Sequence, residues 1–326
     1  MTVNVFKDPW KIGPYTIQGR YFSVHGTSFG ATDRSRRWFT VQRFDTSLPP
    51  WYLRSLRENL PAARRISSPR VLPIADMDLD AASPWYAHPY LDAPPIQFSD
   101  PGNRLPGTPA SEPLRTRLVA LGLIEALADI HAAGLAHGDL GPLTVFLGAR
   151  GPVVADTGVG PGPVRAVRWT HDPRLPEQVG PDEVLHPADD VFAWGVLVTL
   201  LHTSRNPYPG EGGEGSVTKV EQGEPVLDGL PEDLVEPVRA ALHPDRDRRP
   251  TAAALLDRLT GADADPRLDP REVSRAAFAE HWRASRTTFV RWGRRERPLE
   301  HRLETYVLIL AVPVIAIGAL VGWLTG

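Results

Sequence analysis

The chain has 326 residues, a formal net charge of −3 and no cysteine, so nothing in its charge draws it to nucleic acid, and disulfides and thiolate metal sites are excluded. Lys7, Lys11 and Lys219 are its only lysines, so chemistry that needs a lysine between positions 12 and 218 has none to use. A chain of this length buries one large core or two small ones.

In chain order, Met1 to Lys11 lacks the apolar run of a signal peptide and reads as an N-terminal tail over 1–12. From Tyr15 to Tyr90 the pattern is strand-like, with alternating runs such as Trp38 to Phe44, interrupted by a helical stretch near Trp51 to Arg65. Residues 92–113, rich in Pro, Gly, Ser and Asp, read as a loop or linker. Leu114, Leu118, Leu121, Ile124 and Leu127 then recur at helical spacing, with Gly134 as the stop. A second apolar helix is predicted over Val191 to His202, and shorter ones between Glu232 and Leu259.

Residues 261–304 read as a linker followed by a basic juxtamembrane segment, in which Trp282, Phe289 and Trp292 interleave with arginines. This interleaving suits either a solvated charged helix or one lying on an anionic membrane surface. Residues 305–325 carry no charge, and the stretch Tyr306 to Leu324 is long and apolar enough for a bilayer, with Tyr306 and Trp323 as interfacial aromatics. The arginines before the span place the preceding domain on the cytoplasmic side of a cell membrane, with the C-terminus outside.

His131 to Gly160 reads HAAGLAHGDLGPLTVFLGARGPVVADTGVG. It resembles the catalytic loop (H-R-D-L-K-P-x-N) and metal-binding turn (D-F-G) of bacterial eukaryotic-like Ser/Thr protein kinases, with Asp139 and Asp156 on the two aspartates. Further resemblances follow in order: Leu175-Pro-Glu177 to the A-P-E element, Asp190 to Gly195 to the buried helix opened by a structural aspartate, and Arg249-Pro-Thr251 to the R-P-T element. Ile12 to Tyr15 resembles the entry to the first strand, and Pro89-Tyr90-Leu91 the hinge. The resemblance covers residues 13–260 and implies an α+β, two-lobed protein-kinase-like fold, in which Arg249 pairs with Glu177.

The same resemblance marks what this chain lacks. Phe22, Val24 and Thr27 stand at the three glycine positions of the phosphate-cradling loop. Gln42 stands at the strand lysine; Arg43 is next to it, but alternation turns neighbouring side chains to opposite faces. Glu58 is the candidate for the helix glutamate, Gly141 replaces the catalytic-loop lysine, Gly138 its arginine, and Thr144 the metal-binding asparagine.

Gln42, Arg43, Glu58, Leu91, Thr144 and Asp156 therefore mark a degenerate nucleotide cleft, with Asp139 at the residual base position and Asp156 as metal ligand only if magnesium binds. The expectation is a membrane-anchored pseudokinase that binds a protein partner and takes no cofactor. One alternative is a divergent Ser/Thr kinase using ATP and Mg²⁺, with Asp139 as base and Arg43 for phosphate charge. Another is a small-molecule phosphotransferase, since H-G-D-L also occurs in that group.

Overall fold

The computed structural model describes residues 9–23, 26–44, 48–93, 96, 113–160, 186–208 and 223–282, all within a compact unit spanning residues 1–288. The segments expected to hold the A-P-E element, the Val24 position, the basic stretch from residue 283 and the membrane span lie outside the described residues. Among the described residues no helix is long and apolar enough to cross a membrane.

The N-terminal part forms a six-stranded antiparallel sheet, in the order β1-β2-β3-β4-β6-β5. Its strands are β1 Lys11–Ile12, β2 Tyr15–Ser23, β3 Gly26–Thr32, β4 Trp38–Arg43, β5 Asp76–Asp78 and β6 Trp85–Pro89, with helix α1 Pro50–Ala63 between β4 and β5. Alternation sorts this sheet into two faces. Phe29, Val41 and Ala87 occupy paired positions on one face, and pack with Tyr15, Phe39 and Trp85 into a small core of their own. Ser28, Gln42 and Tyr86 are paired across the same three strands on the other face, one residue out of step. That second face meets α1, whose buried stripe Tyr52, Leu56, Leu60 and Ala63 recurs at helical spacing.

The C-terminal part is helical: α2 Pro113–Ala132, α3 Pro187–Thr203, α4 Glu232–Ala241, α5 Ala252–Thr260 and α6 Pro270–His281, with a hairpin of β7 Val145–Gly148 and β8 Gly151–Val154 after α2. Helices α2 and α3 are buried along most of their lengths, so they form the centre of this lobe rather than a surface layer. Trp194 on α3 is fully buried and donates its indole N–H to the Ala120 carbonyl of α2 at 2.9 Å. Burying roughly 200 Å² of indole contributes about 5 kcal/mol of transfer free energy, and the hydrogen bond removes the cost of the buried polar atom. A strand-rich small lobe followed by a helical large lobe agrees with the arrangement the kinase resemblance implies.

One segment differs from the sequence reading. Residues 270–281, expected in a linker and juxtamembrane stretch, form α6, which packs onto the large lobe. Asp269 caps the helix by accepting from the Arg271 N–H, and Pro270 takes its first position. Phe278 and Trp282 are buried, and Trp282 donates to the Gly148 carbonyl at 3.2 Å. Trp282 is thus an internal residue rather than one facing a membrane.

Candidate functional site

The loop after α2 is held by one aspartate. Asp190, near the start of α3, accepts the backbone N–H of His137 at 2.7 Å and of Gly138 at 2.8 Å, and His131 lies 2.9 Å from it. His137 is fully buried: its Nδ1 accepts the Asp139 N–H at 3.2 Å, which places the ring proton on Nε2, donated to the Ala155 carbonyl at 2.8 Å. The loop carrying Asp139 is thereby tied to the strand end that carries Asp156. Gly138 takes a positive φ of 76°, which glycine adopts without strain.

Thr144 is buried and its hydroxyl is committed to the loop. It accepts the Gly141 N–H at 3.0 Å and lies 2.9 Å from the Asp139 carbonyl and 3.1 Å from that of Gly141. Here the residue at the metal-binding asparagine position closes a turn instead.

Asp156 is half-buried with φ of 61°, and its Oδ1 accepts the phenolic proton of Tyr86 at 2.6 Å. Burial and this carboxylate both hold the Tyr86 hydroxyl well above the usual tyrosine pKa. Tyr86 stacks on Phe44, which packs edge-on to Tyr52, so aromatic side chains fill the space between sheet, α1 and Asp156. The turn closes against α1 through Gly158, where an added Cβ would come within 3.1 Å of the Ala63 Cβ and 3.2 Å of the Asn59 carbonyl.

Gln42 lies in the same row as Tyr86. It is 3% exposed, its Oε1 accepts the Ser28 hydroxyl, and its Nε2 finds no acceptor among the described residues. Arg43 lies on the opposite face, its guanidinium 5.4 Å from the Phe29 ring centre, where it serves the outer core rather than the cleft. Glu58 is exposed on α1, away from the helix's buried stripe. Leu91 is half-buried beside the β7–β8 turn, 3.7 Å from where a Cβ on Gly148 would stand. The structure thus brings together Gln42, Asp156, Asp139 and Thr144, and leaves Arg43 and Glu58 outside. Among the described residues no group of three or more His, Cys, Asp or Glu side chains is placed to hold a metal ion.

Tyr86, Tyr52 and His88 were not singled out from the sequence. His88 is buried on the cleft row next to Tyr86, paired with Thr40, and burial holds its pKa below the ordinary value. The available signal was alternation: Gln42 pairs with Tyr86, so every second residue of β6 faces the cleft. Arg249 makes an ion pair with Asp189 at 3.2 Å, and Asp189 also receives Arg246 at 2.9 and 3.0 Å. The expected partner, Glu177, lies outside the described residues.

No family model matches the chain. Among curated proteins, it is 32% identical over 277 residues to the probable serine/threonine-protein kinase PkwA of Thermomonospora curvata, covering 79% of this chain and 36% of that protein. It is 29% identical over 299 residues to the serine/threonine-protein kinase AfsK of Streptomyces coelicolor, covering 88% of this chain and 36% of the relative. The AfsK of Streptomyces griseus is 30% identical over 274 residues, with 79% and 33% covered. The chain spans about a third of the length of these relatives. Its homologues are bacterial serine/threonine protein kinases, which supports a protein-kinase-like domain here.

Proposed function

We propose that this chain is a membrane-anchored pseudokinase, which acts by binding a protein partner and does not transfer phosphate. The observation that carries the reading is Gln42: a neutral amide, buried and bonded to Ser28, stands where the kinase resemblance requires a lysine. Phosphoryl transfer in this group rests on positioning and charge neutralisation. Removing one pre-organised donor to a developing anion costs about 3 kcal/mol, roughly a hundredfold in rate. Arg43 faces away, Gly141 carries no side-chain charge, and Thr144 spends its hydroxyl on the loop. These losses act on one transition state and do not add independently.

Active kinases of this group use Mg²⁺ and ATP, and the residues present do not fit that pair. Tyr86 engages the carboxylate that would hold the metal, and no lysine stands in the cleft to meet the phosphates. The anchor is the stretch Tyr306 to Leu324, with the kinase-like domain on the cytoplasmic side.

A second reading, a divergent active kinase, draws support from the retained Asp139 and Asp156 and from relatives named as kinases. The two separate in one experiment. The purified full chain is incubated with Mg²⁺ and γ-labelled ATP on a generic protein substrate, beside its Asp139→Asn variant. Equal background label in both is the expected result; label abolished by Asp139→Asn establishes the second reading and overturns the first.

A further inference from the structure

We infer that α6 is a brace that couples its own C-terminal end at Trp282 to the end of β8, two residues before Asp156, so that a change at either end is felt at the other. This goes beyond the pseudokinase reading and holds whether or not the cleft transfers phosphate.

The coupling can be followed atom by atom from α6 inward. Arg271 pairs with Asp129 of α2, and Ser274, fully buried, donates its hydroxyl to Glu125 of α2 at 2.7 Å. Glu125 also accepts Arg70 at 3.2 Å, and both side chains are about 95% buried. The guanidinium of Arg70 lies 3.5 Å from the Phe278 ring centre, and its Nη1 donates to the Arg150 carbonyl at 2.6 Å. Phe278 therefore closes over an ion pair that joins the small lobe's Arg70 to the large lobe's Glu125.

The backbone continues the path. The Arg70 carbonyl accepts the Val154 N–H at 2.8 Å, and the Leu72 N–H donates to the Val154 carbonyl at 2.8 Å. Val154 ends β8, two residues before Asp156. The same hairpin is gripped at its turn, where Trp282 donates to Gly148. The fit is close: a Cβ on Gly151 would meet Phe278 at 2.8 Å, and one on Gly122 at 2.9 Å.

Two properties make this a brace rather than ordinary helix packing. First, the ion pair is desolvated by α6 itself. When Phe278 lifts, water reaches Arg70 and Glu125 and replaces the lost ring contact, so detachment exposes little uncompensated charge and is reversible. Second, the group released is the side chain of the residue whose own carbonyl fixes Val154. Coupling of this kind is reciprocal, so loosening Asp156 loosens α6.

Amide hydrogen exchange on the full chain tests it. In Phe278→Ala the amides of Val154 and Leu72 are expected to exchange at least tenfold faster than in the wild type, while those of Leu242 and Leu255 keep their rates. In the other direction, Tyr86→Phe, which removes the bond to Asp156, speeds exchange of the Trp282 amide at least threefold. Unchanged Val154 and Leu72 amides overturn the inference; so does uniform acceleration of all four, which would make α6 a source of global stability alone. If Phe278→Ala does not fold, the smaller deletion Ser274→Ala is expected to give the same local pattern at about threefold, and its absence counts against the brace equally.

Discussion

At the scale of single residues, the cleft is decided by which side chains meet across the sheet. Gln42 and Tyr86 are neighbours on paired strands, and the second reaches Asp156. Hydrogen bonds to a charged group contribute about 1.5–3 kcal/mol, and Tyr86 donates one in a buried place. Tyr86→Phe keeps the ring, its stacking on Phe44 and its volume, and removes only this donor. The expected outcome is a loss of about 1–3 kcal/mol in urea unfolding, with an unchanged denaturant slope because the buried surface stays the same. A loss below about 0.5 kcal/mol would show that Asp156 does not depend on the phenol.

The sequence gives Gln42, Arg43 and Asp156 by position, and alternation alone turns Arg43 away from Gln42. It does not reveal Tyr86, because the partner of Asp156 depends on the β4–β6 register, set by pairing between strands more than 40 residues apart. Glu58 is exposed, and its neighbour Asn59 is the one whose backbone meets Gly158.

At the scale of elements, the helices read well because their periodicity and end signals agree. The helical stretch expected near Trp51 to Arg65 is α1 Pro50–Ala63, and the one expected over Val191 to His202 lies inside α3 Pro187–Thr203. The start of α6 falls in the stretch read as a linker, although its cap and first-turn proline are visible, since Asp269-Pro270 is a helix-opening signal. Aromatics among arginines suit a membrane surface and a docked helix equally, and only the partner surface tells them apart. That partner is prepared by Gly122 in mid α2. An alanine at an ordinary helical position is more favourable than glycine by about 1 kcal/mol. Here an added Cβ would press hardest on the Pro152 ring of β8, and on Phe278 at 2.9 Å. Gly122→Ala is therefore expected to lower the urea midpoint despite its better helix propensity, because overpacking costs about 1–3 kcal/mol. A raised midpoint would mean that Pro152 and Phe278 both give way easily and that the contact is loose.

At the scale of the whole molecule, each lobe carries a buried histidine kept neutral by its surroundings. His88 sits in the small lobe on the cleft face, its Nδ1 3.1 Å from the Pro89 carbonyl. Burial lowers its pKa, only partly opposed by Asp156 and by that hydrogen bond. His202 closes α3 in the large lobe, 2.7 Å from the Thr116 hydroxyl of α2, and burial again lowers its pKa, opposed by a bond to Gly229 and reinforced by Arg117. In the unfolded chain both titrate near 6.5. Below that pH the unfolded state takes up protons that the folded state refuses, so acid favours unfolding. The stability these two residues contribute is whole above pH 6.5 and is lost as pH falls toward their lower folded-state values.

The carboxylates whose pKa values are lowered, Asp33 and Asp265, lose their contribution mainly below pH 5, so the window from 6.5 to 5 belongs largely to the histidines. The unfolding midpoint, measured in steps from pH 7.5 to 5, should stay level at first and then fall within that window. His88→Gln and His202→Gln each remove one titrating group while keeping an amide that can hydrogen-bond. Each is expected to flatten the fall in part, and the double variant to flatten it further. A double variant whose midpoint falls as steeply as the wild type between pH 6.5 and 5 would place the proton uptake elsewhere.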